Sequence, residues 1–150
     1  MSVSYYKARI DGSCINNNSR TEPRTMGIGV LLSAFNEKGK RIREAQQSKQ
    51  IRDTDLLDGR QLCTNNRAEM YALLHVLSIP FEHRLIVESD SQLLIGGLSG
   101  HKRNSNLDLW GQIDYGIELL ERKGVPFRIR KISRYSNTQA DQLARDASRS

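Results

Sequence analysis

At 150 residues, 37% hydrophobic and 27% charged, the chain has the length of one ordinary domain, 1–150, and enough apolar content for a core burying about 70% of its unfolded surface. Lys and Arg outnumber Asp and Glu by 23 to 17, a net charge of +6, which suits a polyanionic partner but also describes a merely soluble basic surface. No stretch is apolar enough to span a membrane, no secretory signal pattern opens the chain, and two cysteines make no disulfide framework.

The first element is a strand from Tyr5 to Asp11, where apolar and polar residues alternate as on a half-buried sheet, with Gly12-Ser13 following. A loop of turn-forming residues, Ile15 to Pro23, leads to a second strand, Gly27 to Phe35. The turn Asn36-Glu37-Lys38-Gly39 reverses the chain into a more polar third strand, Arg41 to Lys49, expected at the edge of an antiparallel meander. Gln50 to Leu62 is a loop-like segment that either modulates access to a site or simply connects elements. A helix is predicted over Asn66 to Leu77, with the stripe Met70, Leu73, Leu74 and Leu77 and with Glu69 in its first turn. Arg84 to Ser89 is a short buried strand closed by Asp90. Helices follow at Gln92 to Leu98 and Leu107 to Lys123, the second with a core stripe of Trp110, Ile113, Ile117 and Leu120. A strand over Pro126 to Ile132 and a helix over Thr138 to Ala147, opened by Asp141, complete the order β-β-β-α-β-α-α-β-α.

Asp11, Glu69, Asp90 and Asp141 stand at the ends of elements, and each has an ordinary structural explanation. Asn66 to Glu69 has capping-box spacing, Thr138 to Asp141 comes near it, and helix N-termini favour acids in general. Strand-end acids are the more suggestive pair, because open α/β sheets place ligands beyond the carboxyl ends of their strands. The conjunction of four such acids is what points to chemistry. Carboxylates are hard ligands suited to Mg²⁺ or Mn²⁺, and a pair of such ions is a recurrent device for phosphodiester cleavage.

The blocks Asp11-Gly12-Ser13, Thr64-Asn65-Asn66-Arg67-Ala68-Glu69, Ser89-Asp90-Ser91-Gln92, Asn106-Leu107-Asp108-Leu109-Trp110 and Asn137-Thr138-Gln139-Ala140-Asp141 occur together and in this order. In these blocks the chain resembles type 1 ribonuclease H, from about Tyr5 to Ala147. The resemblance implies an α/β ribonuclease H-like fold, a mixed five-stranded sheet flanked by helices. It implies an endonuclease that hydrolyses the RNA strand of RNA/DNA hybrids with two Mg²⁺ ions, Mn²⁺ substituting, and leaves 5′-phosphate and 3′-hydroxyl ends. Asp11 would bridge both ions, Glu69 and Asp90 completing one and Asp141 the other. Gly12, Ser13, Asn17, Thr64, Asn65, Asn66, Gln92, Arg134 and Asn137 are the substrate contacts it implies: Glu69 and nearby backbone groups read the 2′-hydroxyl, Asn17, Asn66 and Gln92 touch the minor groove, and Thr64 meets a DNA phosphate. The implied setting is a monomer in a reducing, cytoplasmic compartment without a membrane or an obligate protein partner.

The chain departs from the family pattern in four places. Its first loop lacks the usual Asn-Pro-Gly, so which of Asn16, Asn17 and Asn18 meets substrate is open. Between Asp90 and Trp110 the long basic protrusion of many bacterial members shrinks to Gly96–Ser105, with Lys102 and Arg103 as its charges. Ser133-Arg134-Tyr135-Ser136 stands where those members carry a histidine loop, as in the short form of the family, and 50–62 is an insertion. Of His75, His83 and His101, only His101 lies in the shortened loop. Two other readings remain at this point. One is a binding module of the same fold without catalysis, disfavoured because it would gain nothing from four acids. The other is a different nuclease of the superfamily, such as a proofreading-type exonuclease, which would need an acid at Ser13 and a His or Tyr at Asn137 or Ser136.

Overall fold

A computed structural model describes residues 2–16, 22–52 and 63–150. Its elements are β1 (Tyr5–Ile15), β2 (Thr25–Phe35), β3 (Arg41–Arg52), α1 (Asn65–Leu77), β4 (Arg84–Ser89), α2 (Gln92–Leu98), α3 (Leu107–Arg122), β5 (Phe127–Lys131), a 3₁₀ turn (Arg134–Asn137) and α4 (Thr138–Ser148). The strands form one five-stranded sheet in the order β3-β2-β1-β4-β5, antiparallel through the β1-β2-β3 meander and parallel from β1 to β4 to β5. The expected mixed sheet, with β3 at its edge, is therefore the observed one.

Each face of the sheet has its own cover. Ala8 and Ile10 of β1, Ile28 and Val30 of β2 and Leu85 and Val87 of β4 meet Met70, Leu73 and Val76 of α1 and Trp110 and Ile113 of α3 in the main core. Alternation along β1 sends Asp11 to the other face, which α4 covers over β1 to β3. Gly29, the partner of Asp11 across the β1-β2 ladder, permits that approach, since a Cβ there would lie 2.3 Å from the Ala140 carbonyl oxygen. The α4 backbone is thereby seated against β2, and its first turn faces Asp11.

Three local expectations need correction. β3 runs on to Arg52, so Gln50, Ile51 and Arg52 pair with β2 rather than opening a loop. β1 does not end at Asp11 but continues to Ile15, because its ladder with β2 runs to the pair Ile15 and Thr25. Its ladder with β4 stops at Arg9 and Glu88, so Asp11 lies beyond the carboxyl end of the parallel half of the sheet while remaining inside a strand. Nor does Glu69 lie in the first turn of α1. Thr64 is the N-cap, its Oγ1 accepting from the Arg67 N–H at 3.0 Å, so the helix begins at Asn65 and no acid occupies its first turn. The Asn66–Glu69 capping box does not form. Asp90 directly after β4 and Asp141 in the first turn of α4 stand where they were expected.

A candidate metal-binding active site

The cleft is built where β1, β4, α1 and α4 converge. Gly12 places its first wall. A Cβ at Gly12 would fall 2.2 Å from the Ala68 carbonyl carbon and 2.4 Å from the Glu69 nitrogen, so only glycine lets the α1 backbone rest on β1. Glu69 is thereby carried to the side of Asp11. Asn65 locks the same junction, its Oδ1 accepting from the Cys14 N–H at 2.9 Å. The second wall begins at Ser89, whose buried Oγ accepts from the Ser91 N–H, while Ser91 Oγ caps α2 at Leu94. Asp90 is held between these two serines. The third is Asn137, wholly buried, whose Nδ2 donates to the Ile10 carbonyl at 2.8 Å and reaches Asp90 Oδ2 at 3.5 Å.

The result is a polar cavity of about 520 Å³ lined by Asp11, Gly12, Ser13, Asn65, Asn66, Glu69, Asp90, Ser91, Gln92, Arg134, Asp141 and Arg145, with Leu93 at its side. Asp11, Glu69 and Asp90 each offer a carboxylate oxygen, and these atoms lie within 4.8 Å of one another. Asp141 stands at the rim, where the Arg145 Nε donates to it at 3.2 Å one helical turn away.

Electrostatics mark the site more sharply than geometry. Burial, with Asp141 and Asp90 adding to it against the lowering contacts of Glu69 and the Gly12 N–H, pushes Asp11 up to about 7. Burial, followed by the charge of Asp11, pushes Glu69 up to about 10. Three buried side-chain atoms among the described residues lack a hydrogen-bond partner, and Glu69 Oε2 is one of them. An oxygen-only donor set, closely spaced and mutually repelling, with a buried carboxylate oxygen left over, fits a hard divalent cation.

Of the residues named from sequence, the structure brings Asp11, Gly12, Ser13, Asn65, Asn66, Glu69, Asp90, Gln92, Arg134 and Asp141 to one cleft. Thr64 does not line it; its hydroxyl is used as the α1 cap. Asn137 also stands behind the wall rather than in it, buried there with its Nδ2 joining the last turn to β1. Asn17 lies outside the described residues, as do 53–62 of the insertion. Sequence reading missed Arg145, although its i+4 spacing from Asp141 on a helix was a usable signal. It also took Arg103 as one of the two charges of the shortened protrusion, whereas that guanidinium grips the Asp114 carboxylate at 2.6 and 3.0 Å and stacks 4.2 Å over Trp110.

The sequence profile of the RNase H family matches residues 5–149. A ribonuclease H of Shewanella halifaxensis is 31% identical over 156 residues, spanning 91% of this chain and 81% of that protein. One from Idiomarina loihiensis is 31% identical over 154 residues, spanning 91% and 83%. Among solved structures, RNase H1 of Halobacterium salinarum superposes with a TM-score of 0.66 at 27% identity, covering 96% of this chain and 97% of that one. The family match puts the chain in the class of nucleases, with a carboxylate cleft beyond its parallel strands. Within it, this chain belongs to the ribonuclease H family and is a ribonuclease H enzyme, which removes the reading of a non-catalytic binding module.

Proposed function

We propose that the chain is a single-domain endonuclease that hydrolyses the RNA strand of RNA/DNA hybrids at the cleft of Asp11, Glu69, Asp90 and Asp141. It would use two Mg²⁺ ions, with Mn²⁺ as a substitute, and leave 5′-phosphate and 3′-hydroxyl ends. The observation that carries the reading is the convergence of three carboxylates within 4.8 Å with no cation among their contacts with the described residues, next to a fourth at the rim. A homologous fold, LC11-RNase H1, has been solved in complex with an RNA/DNA hybrid, with a TM-score of 0.65 at 22% identity.

The bound ions would supply positive charge at the scissile phosphate and lower the pKa of an attacking water. The chain's own residues do the rest. Asp11, Glu69 and Asp90 would hold the positive charge at the end of the parallel strands, and Asp141 would join them from α4, its carboxylate fixed by Arg145. Glu69 and the backbone around Gly12 and Ser13 lie where a ribose 2′-hydroxyl could be read, the group that separates RNA from DNA at any sequence. Asn66 and Gln92 present amides along the same wall for the minor groove, and Arg134 offers a guanidinium for a phosphate.

No described helix is long and apolar enough to cross a membrane. We propose further that the chain works as a monomer in a reducing cytoplasm, where Cys14 and Cys63 would stay unoxidised. Labelled RNA/DNA hybrid and duplex DNA, each incubated with and without Mg²⁺, test the proposal. RNA-strand cuts only with metal, ending in 5′-phosphate, are expected. Cleavage of duplex DNA with hybrid left intact would overturn it.

A further inference from the structure

α4 covers its side of the sheet only over β1, β2 and β3. Behind the cleft, the same face of β4 and β5, with the start of β1, lies outside the strands that α4 chiefly covers and carries cations in rows across the strands. The row nearest the cleft is Arg9, Glu88 and Arg130, in which both guanidinia bind the buried Glu88 carboxylate, at 3.0 and 2.6 Å. The next is Lys7, Ile86 and Arg128, and the last is Tyr5 and Arg84. Rows are about 6.5 Å apart and strands about 4.8 Å. Five cations share this face with one carboxylate. Among the described residues, Lys7, Arg84 and Arg128 form no ion pair. Lys7 lies over the ring of Phe35 and Arg84 over that of Tyr5, and these two rings stack at 4.9 Å.

The face is continuous with the cleft. Arg9 is two residues from Asp11 on the same side of β1, and its Nη1 donates to the Ser136 carbonyl at 2.7 Å. Ser136 belongs to the turn whose Arg134 lines the cleft and whose Tyr135 is 92% exposed. An aromatic ring fully in solvent at the step between an active site and a cationic sheet is placed to stack on a base.

We infer that this cationic half of the sheet binds the single-stranded continuation of the RNA strand where it leaves the cleft, stacking on Tyr135 and running over Lys7, Arg84 and Arg128. The inference rests on the proposed hybrid substrate, and it adds a second contact surface outside the cleft. A strand is the fitting occupant because the cations are spaced along and across strands rather than gathered in a pocket, and because their first row is tied through Arg9 and Ser136 to the turn that lines the cleft. An acidic protein surface is the competing occupant. It would have no need of the continuity with the cleft or of Tyr135.

The test compares a blunt RNA/DNA hybrid with hybrids bearing a single-stranded extension on the RNA or on the DNA strand. Binding is measured by fluorescence anisotropy over a salt series without divalent metal. The RNA extension is expected to tighten binding by about 10-fold, and the triple variant K7Q/R84Q/R128Q should lose that gain and reduce the salt slope by about 2, at about 0.7 per single-strand phosphate. Its affinity for blunt hybrid should match that of the unaltered chain. R128E alone, at an exposed position, should lose part of the gain and serves as a check if the triple variant does not fold. Equal binding of blunt and RNA-extended hybrids, a gain from the DNA extension alone, or a gain retained in both variants overturns the inference. So does a polyglutamate peptide that binds this face while the RNA extension adds nothing. Cleavage of the blunt hybrid with Mg²⁺ is followed in parallel. Intact cleavage without an extension gain rejects the sheet surface alone, whereas an extension gain without cleavage supports the surface and rejects the reading of the cleft.

Discussion

Glu88 and Glu69 are both acids folded into the same end of the sheet, yet their surroundings treat them in opposite ways. Glu88 is 3% exposed and, although burial raises its pKa, Arg130 and Arg9 outweigh that and hold it below the ordinary glutamate range. Glu69 has two acids for neighbours, no cation in contact among the described residues, and a pKa pushed up to about 10 by burial and by Asp11. A buried charge that the fold neutralises with its own arginines is a structural element. One that the fold leaves in deficit is waiting for positive charge from outside.

The largest effect should therefore fall on the deficit. Asp11→Asn and Asp90→Asn are each expected to lower turnover on hybrid by at least about 10²-fold, the scale on which losing a positioned electrostatic group acts. Circular dichroism should show an unaltered fold, since each change relieves repulsion in the metal-free protein. Near-normal turnover of a folded Asp90→Asn protein would remove the cleft from the chemistry.

Stability separates the two acids by sign. Glu88→Gln leaves Arg9 and Arg130 without their anion and should cost about 1–2 kcal/mol, reduced by the solvent that reaches both arginines. Glu69→Gln should be neutral or stabilising without metal. Their pH dependences also oppose. The Glu88 contribution is complete above the unfolded glutamate value of about 4.3 and is lost as pH falls through the lower folded one. Glu69 and Asp11 bind protons more tightly when folded, so metal-free stability should fall as pH climbs from about 4 through about 7 and on toward about 10. Thermal melts across that range should show a decline that Glu69→Gln flattens. A melting temperature rising with pH in the metal-free protein would contradict the assigned deficit.

Adding Mg²⁺ turns the same argument round. A cation that binds only the folded state should stabilise it by about 2.7 kcal/mol at a concentration 100-fold above its Kd. The gain should grow with pH as protons leave Glu69, and it should shrink in Asp11→Asn. Melting curves indifferent to Mg²⁺ at saturating concentrations would speak against a cation site.

How far these contrasts were legible in sequence depends on the range of the interactions that set them. Element order, the edge position of β3 and the bounds of β4 and α2 follow from local periodicity and turn chemistry, and they match the fold. The four acids were legible because they carry local motifs. What escaped was non-local. Where β1 ends is decided by how far β2 runs beside it, which no pattern within Tyr5–Ile15 reveals. Asn137 looks like a cleft amide until its burial against the Ile10 carbonyl is known. The opposite fates of Glu69 and Glu88 depend on arginines up to 79 residues away in sequence.

The smallest effects belong to the shortened loop after α2, where Lys102 and Arg103 sit side by side with different duties. Arg103 is fixed by Asp114, the Gly97 carbonyl and the face of Trp110, whereas Lys102 is exposed and forms no ion pair among the described residues. Arg103→Ala should lower stability by about 1 kcal/mol, mostly through lost stacking on Trp110, because the partner carboxylate is half exposed and its pairing is screened. It should hardly change the salt dependence of hybrid binding. Lys102→Ala should do the reverse, leaving the melting temperature in place while flattening the slope of log affinity against log salt by about 0.9, the share of one duplex phosphate. His101 donates its backbone N–H to the Gly96 carbonyl and rests its ring against that glycine, so His101→Ala should leave turnover at saturating substrate unchanged. If His101→Ala cut turnover as deeply as Asp90→Asn while binding stayed normal, the loop would belong to the catalytic machinery and the separation between acids that react and cations that hold would fail.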